Sequence, residues 1–378
     1  MIVSNSHFHR RIKSISIEGF RSLAKIEQLE LPQLTVLIGS NGAGKSNFIR
    51  FFEMLSWMLR GQKLQEFILR QGGADDQLFM GARQTPRINA ELRIETEKGY
   101  NDYRFGLAHL TAGDSLMFVD EAYRYSDRTK SGYANWSILD GGTKESGIVM
   151  AAQSPKNNTA RVIVSLLRQS TTYQFHDTSA HAYIKQAWDV TDNAWLRSDG
   201  ANLAPVLLRL QETDLVRYKL IVRQIQRVLP TFNDFLLQPS VGKVELRWQG
   251  KYSDKSFGAH LTSDGSLRLF CLLTLLNLPS DMLPDILFFD EPELGLHPHA
   301  ISLIAEMLKK IAHTRQVFIA TQSPYMVDCF SLENIIIADL KDGATSLRNL
   351  PKEQYQQWLD DDYRVSDLWL KNVVGSVE

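Results

Sequence analysis

The sequence predicts an α/β fold with a mixed, largely parallel sheet core, split in two by an insertion of helices and strands. Three observations carry this. Leu34–Ile38 (LTVLI) reads as a continuous apolar run apart from Thr35, as in a strand buried on both faces; a glycine-rich turn and helical apolar spacing over Phe48–Leu59 follow it. A second such run, ILFFD ending at Asp290, leads into a helix over Ala300–Ala312 and two more strands, VFIAT and IIIADL. The long stretch between these halves alternates at first like sheet strands and then reads mainly as helix.

Taken in order, Ile12–Ile17 alternates apolar with polar residues, the pattern of a half-buried strand. Arg87–Thr96 and Tyr103–Leu110 alternate in the same way, whereas Ala112–Asn158, rich in Gly, Ser, Asp and Lys, reads as loops around short strands. Over 160–237 three helical segments follow, VIVSLLRQ, NLAPVLLRLQ and DLVRYKLIVRQIQRVL, the last stopped by Pro230. VGKVELRW is strand-like, and a helix opens at Ser263. The expected division is a first half of the core over 1–145, a mainly helical insertion over 146–250 and the second half over 251–378.

Composition narrows the function classes. The chain has 378 residues, enough for two lobes, and 44% hydrophobic against 22% charged residues is the balance of a soluble globular protein. With 42 basic and 43 acidic residues, total charge gives no attraction to nucleic acid, although a local stripe could hide in the sum. Cys271 and Cys329 lie in apolar stretches without a CxxC partner, so neither a disulfide framework nor a zinc site is expected. The N-terminus lacks an apolar leader core, and the longest apolar stretch, Leu267–Leu278, contains Arg268 and is too short to span a bilayer. A cytoplasmic protein with no membrane segment is expected.

Gly39-Ser40-Asn41-Gly42-Ala43-Gly44-Lys45-Ser46, followed by Asn47, matches G-x-x-x-x-G-K-[ST] in full, directly after a buried strand and before a helix. Glycines let successive backbone N–H groups curl around phosphate, and the helix turns its positive end to the same anion. Lys45 adds a full charge for the β- and γ-phosphates, and the Ser46 hydroxyl can ligate Mg²⁺. The fold is therefore expected to be a P-loop NTPase binding ATP and Mg²⁺.

ILFF ending in Asp290 and Glu291 presents two carboxylates at the carboxyl edge of a parallel sheet, where ligands bind. Asp290 is the expected metal ligand, and Glu291 the group that orients or deprotonates the attacking water. Ser263, Gly265 and Arg268 stand at a helix start, a second anion site for which one nucleotide in one chain has no use. Two chains placed head to tail would use it, each Ser263 meeting the γ-phosphate held by the other; alone, the motif reads as an ordinary helix cap. Gln322 in TQSP could sense the γ-phosphate or position the water. Arg21 in EGFRS could reach the nucleotide, although a lone arginine is more often a solvated surface group.

The series EGFRS, GSNGAGKSN, SDGSLR, FFDEPELGLHP and TQSP resembles the ABC-type ATPases related to SMC, RecF-like and overcoming-lysogenisation (OLD) proteins. FHDTSA at 175–180, SDGANLAPVL at 198–207 and SDLWLKNVVG at 366–375 resemble the stand-alone bacterial AAA/ABC-type ATPase group. The resemblance implies an ABC-ATPase fold with Lys45 and Ser46 as the Walker A pair and Asp290 and Glu291 as Walker B and catalytic glutamate. Ser263 and Gly265 become the signature acting in trans. Gly295, Leu296 and His297 fall in the D-loop, which favours a structural role for His297 and His299 over a zinc pair. Gln322 stands where many relatives have a histidine.

It also implies an ATP-dependent homodimer, or a higher homo-oligomer, acting as a switch in phage defence or DNA metabolism. The insertion is far too short for SMC coiled coils. The stretch after Pro324 is too short for a Toprim nuclease, so any such effector is expected as a separate polypeptide. Two alternatives remain: a RecF-like DNA repair ATPase, with Arg161, Arg168, Arg209, Arg217, Arg223 and Arg227 as possible phosphate contacts among interleaved acids, and a nucleotide-dependent scaffold with little turnover.

Overall fold

A computed structural model describes residues 10–130, 132–252, 254–351, 353–355, 358, 363–371 and 373–374. Residues 1–9, read above for a leader, and 372 and 375 of the tail motif lie outside them. Six strands form an antiparallel sheet in the order β2-β1-β4-β5-β6-β7. They are β1 (Arg11–Phe20), β2 (Leu23–Glu30), β4 (Arg87–Thr96), β5 (Gly99–Leu110), β6 (Ser115–Asp127) and β7 (Ser137–Leu139). A second six-stranded sheet runs β17-β16-β3-β15-β14-β8. Its members are β3 (Leu34–Ile38), β8 (Ser170–Tyr173), β14 (Ile286–Asp290), β15 (Gln316–Thr321), β16 (Ile335–Lys341) and β17 (Ala344–Asn349). All its neighbours are parallel except the edge pair β16–β17. The expected mixed core is therefore present.

Helix α1 (Lys45–Leu59) lies between the two sheets, which is why its sequence is aromatic on more than one side. Phe51 meets Phe20 of β1 with ring centroids 5.4 Å apart and Phe105 of β5 at 6.4 Å. Phe52 faces the other sheet, 4.8 Å from Phe288 of β14 and 5.8 Å from Phe318 of β15. Such burial of Phe side chains stabilises each by roughly 1.5–3 kcal/mol. The consequence for function is that the N-terminus of α1, where the glycine loop ends, is held by both sheets.

The remaining helices are α2 (Leu64–Arg70), α3 (Gly147–Ala151), α4 (Asn158–Arg168), α5 (Leu203–Thr213), α6 (Leu215–Val228), α7 (Asp264–Leu275), α8 (Pro298–Ala312), α9 (Pro324–Val327) and α10 (Val365–Leu370). Strands β9 (Trp188–Asp189) and β11 (Lys243–Val244) pair, and β10 (Phe232–Phe235), β12 (Arg247–Gly250) and β13 (Ser256–Gly258) form a small antiparallel sheet. Phe270 of α7 packs against Phe232 and Phe235 at 5.3 and 5.2 Å, tying that sheet to the helix that opens at Ser263. Helix α6 ends two residues before Pro230, as expected.

Two elements differ from the sequence reading. The Gly/Ser/Asp-rich stretch holds a long strand, β6 of 13 residues, rather than only short ones. Its polar residues divide between surface and interior: Asp120 is exposed, whereas Glu121 is buried and accepts from the Tyr103 hydroxyl at 2.6 Å. Arg124 shares the fully buried Asp102 of β5 with Arg93, each at 2.8 Å, while Leu116 and Phe118 fill the core. The other difference is that residues 146–250 do not stand apart from the core: β8 is an edge strand of the parallel sheet, beside β14.

Candidate nucleotide-binding site

The loop 39–44 leaves the carboxyl end of β3 and enters α1 with no side-chain cap, so the first N–H groups of the helix face the loop. Gly44, at φ 95°, is required there twice over. That φ disfavours any side chain, and a Cβ would come within 2.0 Å of Thr345 Oγ1. The same hydroxyl donates to Ser22 Oγ at 2.7 Å, and Asn47 Nδ2 donates to Ser22 Oγ at 2.7 Å. Ser22, one residue beyond Arg21, thus ties the β1–β2 turn and β17 to the start of α1.

Lys45 is only 6% exposed, and its Nζ donates to Gly39 O at 2.6 Å and Ser40 O at 2.9 Å. Burial pushes the ammonium below its ordinary value, opposed by the nearby Glu291, Asp290 and Glu293 carboxylates. The cation is thus folded onto carbonyls of its own loop and surrounded by anionic groups.

Asp290, at the end of β14, gathers the other polar groups. Its Oδ2 accepts from Ser46 Oγ at 3.3 Å and from Gln174 Nε2 at 3.2 Å, and its carbonyl lies 3.0 Å from His176 Nε2. The sequence carries no local signal that marks Gln174 or His176 as site residues. They follow β8, and only its pairing with β14 brings them here. A serine hydroxyl, a carboxylate and an amide that can turn its oxygen inward are hard donors that suit Mg²⁺. No cluster of three or more His, Cys, Asp or Glu positioned for a metal occurs among the described residues. His297 Nδ1 instead accepts from His299 N at 3.3 Å, capping α8.

Glu291 adopts a left-handed φ of 46°, which a non-glycine residue reaches only when its surroundings hold it. Its N–H donates to Ala320 O of β15 at 2.8 Å, and its Oε1 accepts from Gln322 Nε2 at 2.8 Å. The two residues proposed from DE and TQSP therefore touch. Beyond them Glu293, 7% exposed, accepts from Thr321 Oγ1.

Ser263 caps α7, accepting from Ser266 N at 3.3 Å, and is exposed. Gly265 passes so close to Gly295 that a Cβ would lie 2.4 Å from its carbonyl oxygen. Arg268 donates to Phe175 O at 3.0 Å, Leu294 O at 3.0 Å and His176 O at 3.3 Å. Its guanidinium thus binds the start of α7 to the turns after β8 and β14. Arg21, at φ 49°, points its guanidinium to the 71–77 turn, donating to Gln77 Oε1 at 3.0 Å and Gln71 O at 3.4 Å. Burial and the neighbouring Arg50 hold it below its ordinary value.

Residues 34–328 match the family described as "AAA domain, putative AbiEii toxin, Type IV TA system". The "DNA replication and repair protein RecF" of Anaeromyxobacter sp. (strain Fw109-5) is 31% identical over 91 residues, 24% of each chain. That of Anaeromyxobacter dehalogenans (strain 2CP-C) is 26% identical over 180 residues, 41% of this chain and 47% of the relative. The chain spans less than half the length of these relatives. Among solved structures, the SmcHead bound to the C-winged helix domain of ScpA superposes with a TM-score of 0.59 at 14% identity, covering 92% of this chain and 99% of that one. An Smc head domain with an extended coiled coil, derived from Pyrococcus furiosus and bound to the C-terminal domain of ScpA, gives 0.54 at 12% identity, covering 93% and 99%. With the fold of SMC heads and partial similarity to RecF proteins, the chain belongs to the AAA-domain family matched by residues 34–328 and has a P-loop ABC-type ATPase fold.

Proposed function

We propose that the chain binds ATP with Mg²⁺ on residues 39–47, hydrolyses it with Glu291, and acts as a switch whose sites are completed by a second copy. The observation that supports this most is the convergence on β14, where Asp290 meets Ser46 and Gln174 while Glu291 meets Gln322. Mg²⁺, when bound, would neutralise phosphate charge, held by Ser46, Asp290 and Gln174.

The chain's own residues supply the rest. Lys45 exchanges Gly39 O and Ser40 O for phosphate oxygens, joined by the N–H groups of the loop. Glu291, freed from Gln322, takes a proton from the attacking water, and Gln322 then faces the γ-phosphate. The exposed Ser263 and the N-terminus of α7 point to a head-to-tail homodimer, in which each supplies the other's γ-phosphate contacts. Arg21 acts through the 71–77 turn, and Gly295 and His297 form the turn by which the two sites communicate.

The test is phosphate release with mass photometry, with and without ATP–Mg²⁺. Turnover and ATP-driven doubling of mass are expected. Association that ignores ATP would sink the dimer reading, and absent turnover would sink the hydrolysis reading.

One observation favours a second reading, a scaffold with little turnover. Gln322 engages the carboxylate that must act as base.

Coupling to a separately encoded effector, such as a Toprim-like nuclease, in phage defence is proposed from the OLD-like motifs of the sequence alone. The RecF relatives support DNA metabolism instead. Several insertion arginines are spent within the chain: Arg209 donates to Asn193 O, and Arg217 to Asp214 and Asn277 O. DNA binding is therefore proposed from the relatives alone. Unchanged phage plating after deletion of the gene and its neighbours would remove the defence reading. No helix among the described residues is long and apolar enough to cross a membrane, and a cytoplasmic site of action is part of the proposal.

A further inference from the structure

The turns that leave β14 and β15 are joined by two parallel rungs. The outer rung is Gln322 to Glu291, already assigned to the reaction. The inner rung is Thr321 to Glu293, to which the reading above gives no role. Thr321 is fully buried, and while its hydroxyl donates to Glu293 Oε1 it accepts from Ser323 N at 2.9 Å. One hydroxyl therefore fixes the backbone on either side of Gln322, donating towards one turn and accepting from the other side of its own. Glu293 Oε2 is buried without a hydrogen-bond partner.

A buried acid with half of its carboxyl unsatisfied is costly for stability alone, where an apolar pair would serve better. Burial also pushes Glu293 up to about 7, so part of the cost is relieved by protonation. The arrangement makes sense if its product is geometric. Glu291 sits at a strained φ, two residues before Glu293, and Gln322 is the residue after Thr321. The inner rung thus sets the separation and register of the outer one.

We infer that Glu293 is a positioning residue: through Thr321 it holds Gln322 where it can first engage Glu291 and then read the γ-phosphate. The inference rests on the ATPase reading above. It assigns Glu293 no contact with substrate or metal.

The experiment compares Glu293→Ala, Glu293→Gln, Thr321→Val, Thr321→Ser and the Glu293→Ala/Thr321→Val pair in the full chain. Turnover is measured against ATP concentration, and melting temperature with ADP–Mg²⁺ and with ATP–Mg²⁺. Loss of positioning should lower kcat by about tenfold or more in Glu293→Ala and Thr321→Val while KM stays within about twofold. The pair should be no slower than either single variant, because both remove one rung. Thr321→Ser keeps the hydroxyl and Glu293→Gln keeps an acceptor, so both should stay within about threefold of wild type.

Three outcomes would overturn the inference: a KM effect with kcat unchanged, multiplicative losses in the pair, or Thr321→Ser as slow as Thr321→Val. Should Glu293→Ala fail to fold, the two threonine variants decide it. Should wild type release no phosphate, the hydrolysis reading fails separately. The positioning role is then read from the extra melting shift given by ATP over ADP. Its loss in Thr321→Val with the ADP shift intact supports the role. Its persistence, or its absence from wild type, overturns it.

Discussion

Glu291→Gln should lower phosphate release by about a hundredfold or more, the range a positioned general base supplies, while ATP binding survives. The physical case rests on isosterism. The amide fills the same space, keeps the backbone bond to Ala320 O, and can still accept from Gln322, so the turn at φ 46° stays in place. What it loses is a negative charge near Lys45 and the capacity to take a proton. Removing that charge makes the loop more attractive to a phosphate chain, so nucleotide should bind as well or better. If ATP closes a dimer and hydrolysis opens it, the variant should accumulate as an ATP-bound dimer in mass photometry. Turnover within a few-fold of wild type would remove Glu291 from the base role. Lost turnover without accumulation would leave the base role standing and remove hydrolysis as the opening step.

The parts of this site legible in the sequence are those whose physics is local. β3 and β14 are buried on both faces, so they appear as apolar runs, interrupted only by Thr35 and by the terminal Asp290. The loop between β3 and α1 turns tightly through Gly42 and Gly44 at positive φ, which demands glycines at fixed spacing. β8 offers no such signal. It has four residues, two of them threonine, at a sheet edge, and Gln174 reaches Asp290 only because β8 pairs with β14. β6 was obscured for the opposite reason: its polar residues divide between surface and interior, and the ion pairs that bury Asp102 are invisible before β4, β5 and β6 are aligned. Thr321 looks like the end of a strand and Glu293 like a turn residue, and their bond joins the end of β15 to the turn after β14, which only the parallel register of the two strands brings together. The EGFRS motif drew attention to Arg21, whereas the side chain that meets the loop helix belongs to Ser22. Sequence spacing places the backbone of that turn but not which of two adjacent side chains faces inward.

Mixing two defective chains should restore activity that neither has alone. Lys45→Ala removes the ammonium from the phosphate loop. Ser263→Arg puts a bulky cation on the exposed cap of α7, at a cost of about 1 kcal/mol for the lost cap, which the buried remainder of the helix can bear. In a head-to-tail dimer each site draws its loop from one chain and its Ser263 from the other. A dimer of either variant therefore contains two broken sites. A mixed dimer contains one site with both defects and one with neither. With random pairing of equal amounts, half the dimers are mixed and each has one of its two sites intact, so about a quarter of the wild-type rate should return. If Ser263 served the nucleotide of its own chain, no combination could place an intact loop opposite an intact cap, and mixing would restore nothing. If Ser263 were only a helix cap, Ser263→Arg would be nearly as active as wild type by itself, and the exposed N-terminus of α7 would have no part in the reaction.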